Sequence, residues 1–154
     1  GYLYDFFSEL YGIPTDRRDA RKRMLFARFG IQEFAQVRVR DLSTGMKQKV
    51  SLVISLVQDP EIIIFDEPTN GLDILTAKVV TDFLLDLKEQ GKTIIISTHI
   101  FNLVEKICDR VGIIINGRMA ACEDLRTLCG DKSLEDRFFE IYEAVNGEDE
   151  NHDK

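Results

Sequence analysis

The sequence predicts an α/β fold: a mostly parallel sheet preceded by a helical subdomain and followed by a β-hairpin and helices. Three observations predict it. Short apolar runs at residues 62–65 and 93–97 alternate with longer stretches of helical periodicity. The first ~60 residues hold no strand-like run. Asn116-Gly117, the strongest two-residue hairpin signal, separates two further strand-like runs.

In chain order, residues 3–11 place apolar side chains at 3, 6, 7, 10 and 11, a helical stripe closed by Gly12 and Pro14. A second helix is expected over 16–29. Thr15 or Asp16 can cap it, Gly30 suits its C-terminal end, and Met24, Leu25, Phe26 and Phe29 supply its apolar side. Its basic run, Arg17 to Arg23, reads either as a solvated face or as a contact with a partner's acidic loop or lipid headgroups. A connector over 31–40 leads to a helix over 45–58, with Ser43 as N-cap and Val50, Leu52, Val53, Leu56 and Val57 inward. The run Ile62 to Phe65 reads as a strand buried on both faces. A helix over 74–90 turns Val79, Val80, Phe83, Leu84 and Leu87 inward, and Gly91 ends it. Residues 93–97 form a second buried strand and 100–108 a short helix. Strands over 110–115 and 118–121 make the hairpin, and helices over 123–128 and 133–145 close the fold. The polar, acidic residues 146–154 are expected to be disordered.

Composition narrows the function. The chain has 154 residues, 44% hydrophobic and 31% charged, enough for a real core. A net charge of −7 argues against nucleic acid as a partner. No apolar run approaches the ~20 residues of a membrane span, and the opening residues do not read as a signal peptide. The 3 cysteines fit neither metal spacing nor an even disulfide framework, which suits a reducing, cytoplasmic setting.

The chemistry gathers at Glu61 to Asp73, EIIIFDEPTNGLD. Asp66 and Glu67 follow an apolar strand at its C-terminal mouth, where ligands of open parallel sheets sit. Adjacent carboxylates are costly to bury without a charged partner. Hydrated Mg²⁺ suits them, because it takes one or two carboxylates and completes its shell with phosphates. The alternative is a plain acidic turn. The helix start at Ser43-Thr44-Gly45 is either only a cap or an anion site, since free N–H groups and the positive dipole end face any ligand there. His99, after the second strand, is either structural or a donor to phosphate. Gly91-Lys92-Thr93 is no phosphate-binding loop: Asp86 stands where the first glycine belongs, and a helix rather than a strand precedes it.

Leu42 to Lys49 (LSTGMKQK), Ile62 to Pro68 (IIIFDEP), Gly71 to Asp73 (GLD) and Ser97 to His99 (STH) stand in a fixed order. In that order and spacing the chain resembles the ATPase subunit of ABC transporters, over roughly residues 1–145. The resemblance implies a partial RecA-like core of the P-loop NTPase type. It implies a signature subdomain over 1–60, the core over 61–122, C-terminal helices over 123–145 and a tail over 146–154. Leu42, Ser43, Thr44, Gly45 and Met46 resemble the family signature, with Thr44 and Met46 in place of its usual Gly and Gln. Asp66 resembles the Mg²⁺-holding carboxylate, Glu67 the general base, Asp73 the residue that communicates across a dimer, and His99 the γ-phosphate contact. ATP and Mg²⁺ are the implied cofactors. The implied partners are a second ATPase protomer, identical or different, and a membrane permease, which places the protein on the inner face of the cell membrane. Ser133 to Phe139 (SLEDRFF) resembles the tail of subunits serving export-type permeases of the ABC-2 kind, or is an amphipathic terminal helix. The family's phosphate-binding loop has no counterpart in these residues, so the chain alone is expected not to hydrolyse ATP. Two other readings stand beside this one: a non-catalytic interaction module, and a soluble ABC ATPase of translation or DNA repair.

Overall fold

A computed structural model describes the backbone of residues 1–152 and the side chains of residues 1–147. It divides into two compact units, Gly1–Ser97 and the residues from Thr98 onward.

The first unit runs α1 (Tyr2–Leu10), α2 (Thr15–Phe29), two 3₁₀ turns (Gln32–Phe34 and Val39–Asp41), α3 (Thr44–Ser55), β1 (Ile62–Asp66), α4 (Ile74–Glu89) and β2 (Thr93–Ser97). Strands β1 and β2 are parallel and in register from Ile62↔Thr93 to Asp66↔Ser97. The expected α/β architecture is present: a helical portion first, then parallel strands joined by a helix.

Its core is helical. Tyr4 of α1 meets Phe26 of α2 edge-on at 5.6 Å, and Phe29 of α2 meets Phe83 of α4 edge-on at 5.1 Å. Leu25, Leu52, Val53, Leu56, Val57, Val80, Leu84 and Leu87 are buried with them. Gly30 ends α2 in a left-handed conformation at φ 64°, as the sequence predicts.

Three expectations about burial need correction. The aromatic stripe of α1 faces outward: Leu3, Phe6, Leu10 and Tyr11 are exposed, and Tyr4 and Ser8 are buried instead. The helical period holds, but the face that packs carries Tyr4 and Ser8, whose hydroxyl donates to the Tyr4 carbonyl at 2.8 Å. Met24 is exposed as well. The third correction concerns β1, which is buried on one face only. Ile63 and Phe65 are 4% and 7% exposed, whereas Ile62 and Ile64 are 61% and 72% exposed. In β2, Ile95 is likewise exposed. Side chains alternate along a strand, and within this unit only one face of the pair is covered.

The basic run of α2 is largely answered within the chain. Arg18 reaches Asp5, Glu9 and Asp19, Lys22 pairs with Asp5, and Arg21 binds Asp59 and the Leu56 carbonyl. These contacts tie α2 to α1 and to the segment after α3, which favours the solvated-face reading.

The second unit runs α5 (Phe101–Ile107), β3 (Arg110–Ile115), β4 (Arg118–Asp124), α6 (Leu125–Cys129) and α7 (Leu134–His152). Asn116 and Gly117 both have positive φ, 49° and 75°, as the predicted hairpin requires. Strand β4 extends three residues beyond the predicted end, because its partner continues to Arg110↔Asp124. Ile113, Ile115, Leu128 and Leu134 form the core, with Phe101 and Phe138 against it. Ser133 accepts from the Asp136 N–H at 3.0 Å and starts α7, so SLEDRFF has a local structural use. The tail expected to be disordered has its last side chains and its final two residues outside the described residues. Burial raises the Cys129 thiol above its ordinary range. No helix of the described residues is long and apolar enough to cross a membrane.

Asp73 caps α4. Its carboxylate accepts from the Thr76 N–H at 3.0 Å and the Thr76 hydroxyl at 2.7 Å, which holds it below the usual carboxylate range. A carboxyl lowered in the folded state stabilises above its unfolded value, about 3.9, and that contribution is lost as pH falls through the lowered folded value. The melting-midpoint difference between the parent and Asp73→Ala is therefore expected to be full at neutral pH and to shrink below about pH 4. A difference constant from pH 7 to pH 2 would refute the assignment.

Candidate functional site

The site grows from the C-terminal ends of β1 and β2. Asp66 is the last residue of β1, and its carboxylate is exposed. Glu67 then leaves the strand at φ 45°, a left-handed conformation rare for a non-glycine residue and a mark of functional turns. Its N–H donates to the Ser97 carbonyl at 2.9 Å. Opposite Asp66, Ser97 donates its hydroxyl to Asp66 Oδ1 in a short hydrogen bond. Both acidic residues are thus tied to the end of the neighbouring strand.

Beyond Glu67 the chain turns tightly. Pro68 and Thr69 are buried. The Asn70 N–H donates to the Glu67 carbonyl at 3.1 Å and the Leu72 N–H to the Thr69 carbonyl at 3.3 Å. Gly71, at φ 70°, lets the loop reverse into the Asp73 cap.

The predicted signature lies against this loop. Ser43 caps α3 by accepting from the Met46 N–H at 3.3 Å. Leu42 is buried and anchors the motif, whereas Ser43 and Thr44 are exposed and Gly45 and Met46 half-buried. A Cβ on Gly71 would lie 3.7 Å from the Thr44 methyl, and one on Gly45 would lie 3.8 Å from Leu72 Cδ2. The two loops therefore lie close together. The first N–H groups of an α-helix lack intrahelical partners, so the outward start of α3 can receive an anion.

The first unit thus sets the helix start at Thr44 and Gly45 beside Gly71 and Leu72 of the loop that runs from Glu67 to Asp73. His99 is exposed, belongs to the second unit, and follows Ser97 by two residues. Its turn is shaped by the Ile100 N–H donating to the Thr98 hydroxyl at 3.2 Å.

The donor set fits magnesium of one kind. Asp66 and Glu67 offer hard carboxylate oxygens at a strand mouth. Among the described residues no three His, Cys, Asp or Glu side chains gather into a cage. Hydrated magnesium is an ion held by one or two carboxylates and completed by substrate phosphates.

Sequence reasoning missed two contributors. The Asp73-x-x-Thr76 spacing is a capping signature, and it gives Asp73 a structural duty beside any other. Ser97 ends the strand over 93–97 and opens STH, and neither reading gives its hydroxyl a partner. Two five-residue strands, IIIFD and TIIIS, ending together were the signal that it faces Asp66.

The ABC transporter family profile matches residues 5–70, from α1 through the turn after Glu67. The ABC transporter ATP-binding protein NatA of Bacillus subtilis is 39% identical over 131 residues, covering 85% of this chain and 53% of that one. A solved structure of the ATP-binding subunit of an ABC transporter superposes with a TM-score of 0.85 at 28% identity, over 91% of this chain and 60% of that chain. The chain belongs to the ABC transporter ATP-binding family. Other ABC relatives include a fluoroquinolones export ATP-binding protein of Mycobacterium tuberculosis, 36% identical over 77% of this chain and 38% of its own length. The linearmycin resistance ATP-binding protein LnrL of Bacillus subtilis is 32% identical over 80% of this chain and 40% of its own. This ABC chain spans about half the length, or less, of the curated relatives it matches.

Proposed function

We propose that this chain is the signature-bearing, magnesium-side part of the ATP-hydrolysing subunit of an export-type ABC transporter. The observation that carries the reading is the closeness, in one unit, of the helix start at Thr44–Gly45 to the loop that leaves the acidic strand end. Relatives named for fluoroquinolones export and linearmycin resistance support the export assignment.

Asp66 holds the magnesium site, and Glu67 orients the attacking water and accepts its proton. Bound Mg²⁺ supplies charge neutralisation during phosphoryl transfer. Ser43, Thr44, Gly45 and Met46, anchored by Leu42, present the start of α3 to phosphates held by an opposing protomer. Asp73 stands at that dimer boundary, and His99 donates to the γ-phosphate. The dimer acts beneath a membrane permease on the cytoplasmic face.

Phosphate release from MgATP tests this. No G-x-x-x-x-G-K-[ST] loop occurs in the 154 residues, so the chain alone is expected to release no phosphate above the buffer blank. Joined to the part of NatA that lies outside the matched region, the hybrid is expected to turn over. Robust hydrolysis by the chain alone, or none by a folded hybrid, would overturn the proposal.

A further inference from the structure

We infer that Ser97 is a positioning residue for the acidic pair: its hydroxyl sets the Asp66 carboxylate and its carbonyl holds the turn at Glu67. The inference rests on the magnesium-ATP reading above and names a residue that reading does not use.

Three observations meet at Ser97. The parallel strands end in register, so Ser97 lies directly opposite Asp66. The Ser97 hydroxyl donates to Asp66 Oδ1. The Ser97 carbonyl accepts from the Glu67 N–H at 2.9 Å, at the residue that takes φ 45°. One residue therefore fixes a side chain and a backbone turn at two successive acidic positions.

The chemistry explains why a hydroxyl stands there. An exposed aspartate samples several staggered χ1 wells. A site that must meet a metal and a phosphate needs its donors held within about 0.5 Å, by neighbours whose own geometry is locked. The hydroxyl occupies Oδ1 and leaves Oδ2 for a cation or its water. The three residues before Ser97 are isoleucines, so the strand changes to a donor at the position that faces the carboxylate. Ser97 and Asp66 are both exposed, so their bond contributes little to folding and its use lies in geometry.

The test is side-chain and amide NMR on this chain, with Ser97→Ala and Ser97→Thr. Without metal, the parent is expected to show a single Asp66 χ1 rotamer in its three-bond couplings. Ser97→Ala is expected to average that rotamer and shift the Glu67 amide, and Ser97→Thr, which keeps the hydroxyl, to restore both. Mn²⁺ alone is then titrated. Broadening of the Asp66 carboxyl signal is expected to need about ten- to a hundredfold more Mn²⁺ in Ser97→Ala than in the parent or Ser97→Thr, the size of effect typical of groups that orient metal ligands. Rotamer averaging in the parent would overturn the inference even where Ser97→Ala fails to fold. So would Ala and Thr variants alike in couplings and Mn²⁺ requirement. Should Mn²⁺ broaden Asp66 in none of the three while the metal-free differences persist, the positioning role stands and the magnesium reading falls.

Discussion

Glu67→Gln in the NatA hybrid is expected to lower phosphate release by on the order of 10² to 10⁴, the contribution of a placed general base. Glutamine has the size of glutamate but cannot accept the proton of the attacking water. The substitution leaves the backbone as it is, so the protein is expected to fold normally and to retain nucleotide. A second substitution separates chemistry from strain. At φ 45° a glutamate is disfavoured and a glycine is not. Glu67→Gly relieves that strain but adds chain entropy to the unfolded state, so it is expected to keep its stability within about 1 kcal/mol of the parent while losing the same activity. Urea unfolding and phosphate release, measured on both variants, check this. Activity within tenfold of the parent in Glu67→Gln would remove Glu67 from the chemistry. A larger loss of stability in Glu67→Gly would mean that the side chain holds the turn.

Phe83→Ala is expected to be the most destabilising single change in the first unit, at about 3–5 kcal/mol. Phe83 is buried on α4, and its ring meets Phe29 edge-on at 5.1 Å. That contact joins the helical portion to the helix that links the two strands. Total stabilities of about 5–15 kcal/mol leave little in reserve after such a loss. Arg28 lies over the same ring at 5.9 Å and pairs with Asp86 at 2.7 Å. Both partners of that pair are more than a third exposed, so Arg28→Ala is expected to cost no more than about 1 kcal/mol. Urea midpoints of the two variants test the ranking, and equal losses would refute the view that α2 and α4 are joined by buried rings rather than by surface charge.

Much of this was legible in the sequence, for reasons that differ by element. The strands at Thr93–Ser97 and Arg110–Ile115 were placed to the residue, because apolar runs bounded by turn signals leave little freedom. Asn116-Gly117 specified its hairpin through local backbone preference alone. Faces were harder to read than periods. The aromatic positions of α1 repeat at helical spacing, yet Tyr4 and Ser8 are the buried ones, because burial is decided by the neighbours a helix meets. The one-sided exposure of β1 was illegible for the same reason: an isoleucine run states its affinity for a covered position, and tertiary surroundings decide whether it has one. At the candidate site, the residue types Asp66 and Glu67 were readable. The hydroxyl that holds Asp66 was not, because it comes from a strand 31 positions away and depends on register.

The parallel pair β1 and β2 also sets how this chain must be handled. Among the described residues each strand has a neighbour on one side only, and Ile62, Ile64 and Ile95 leave an aliphatic surface beside the open amides. Such a ribbon accepts any extended peptide that comes within reach, including another molecule of the same kind. Self-pairing of this kind rises with concentration, so couplings and midpoints that stay the same on dilution are the ones that belong to the single chain.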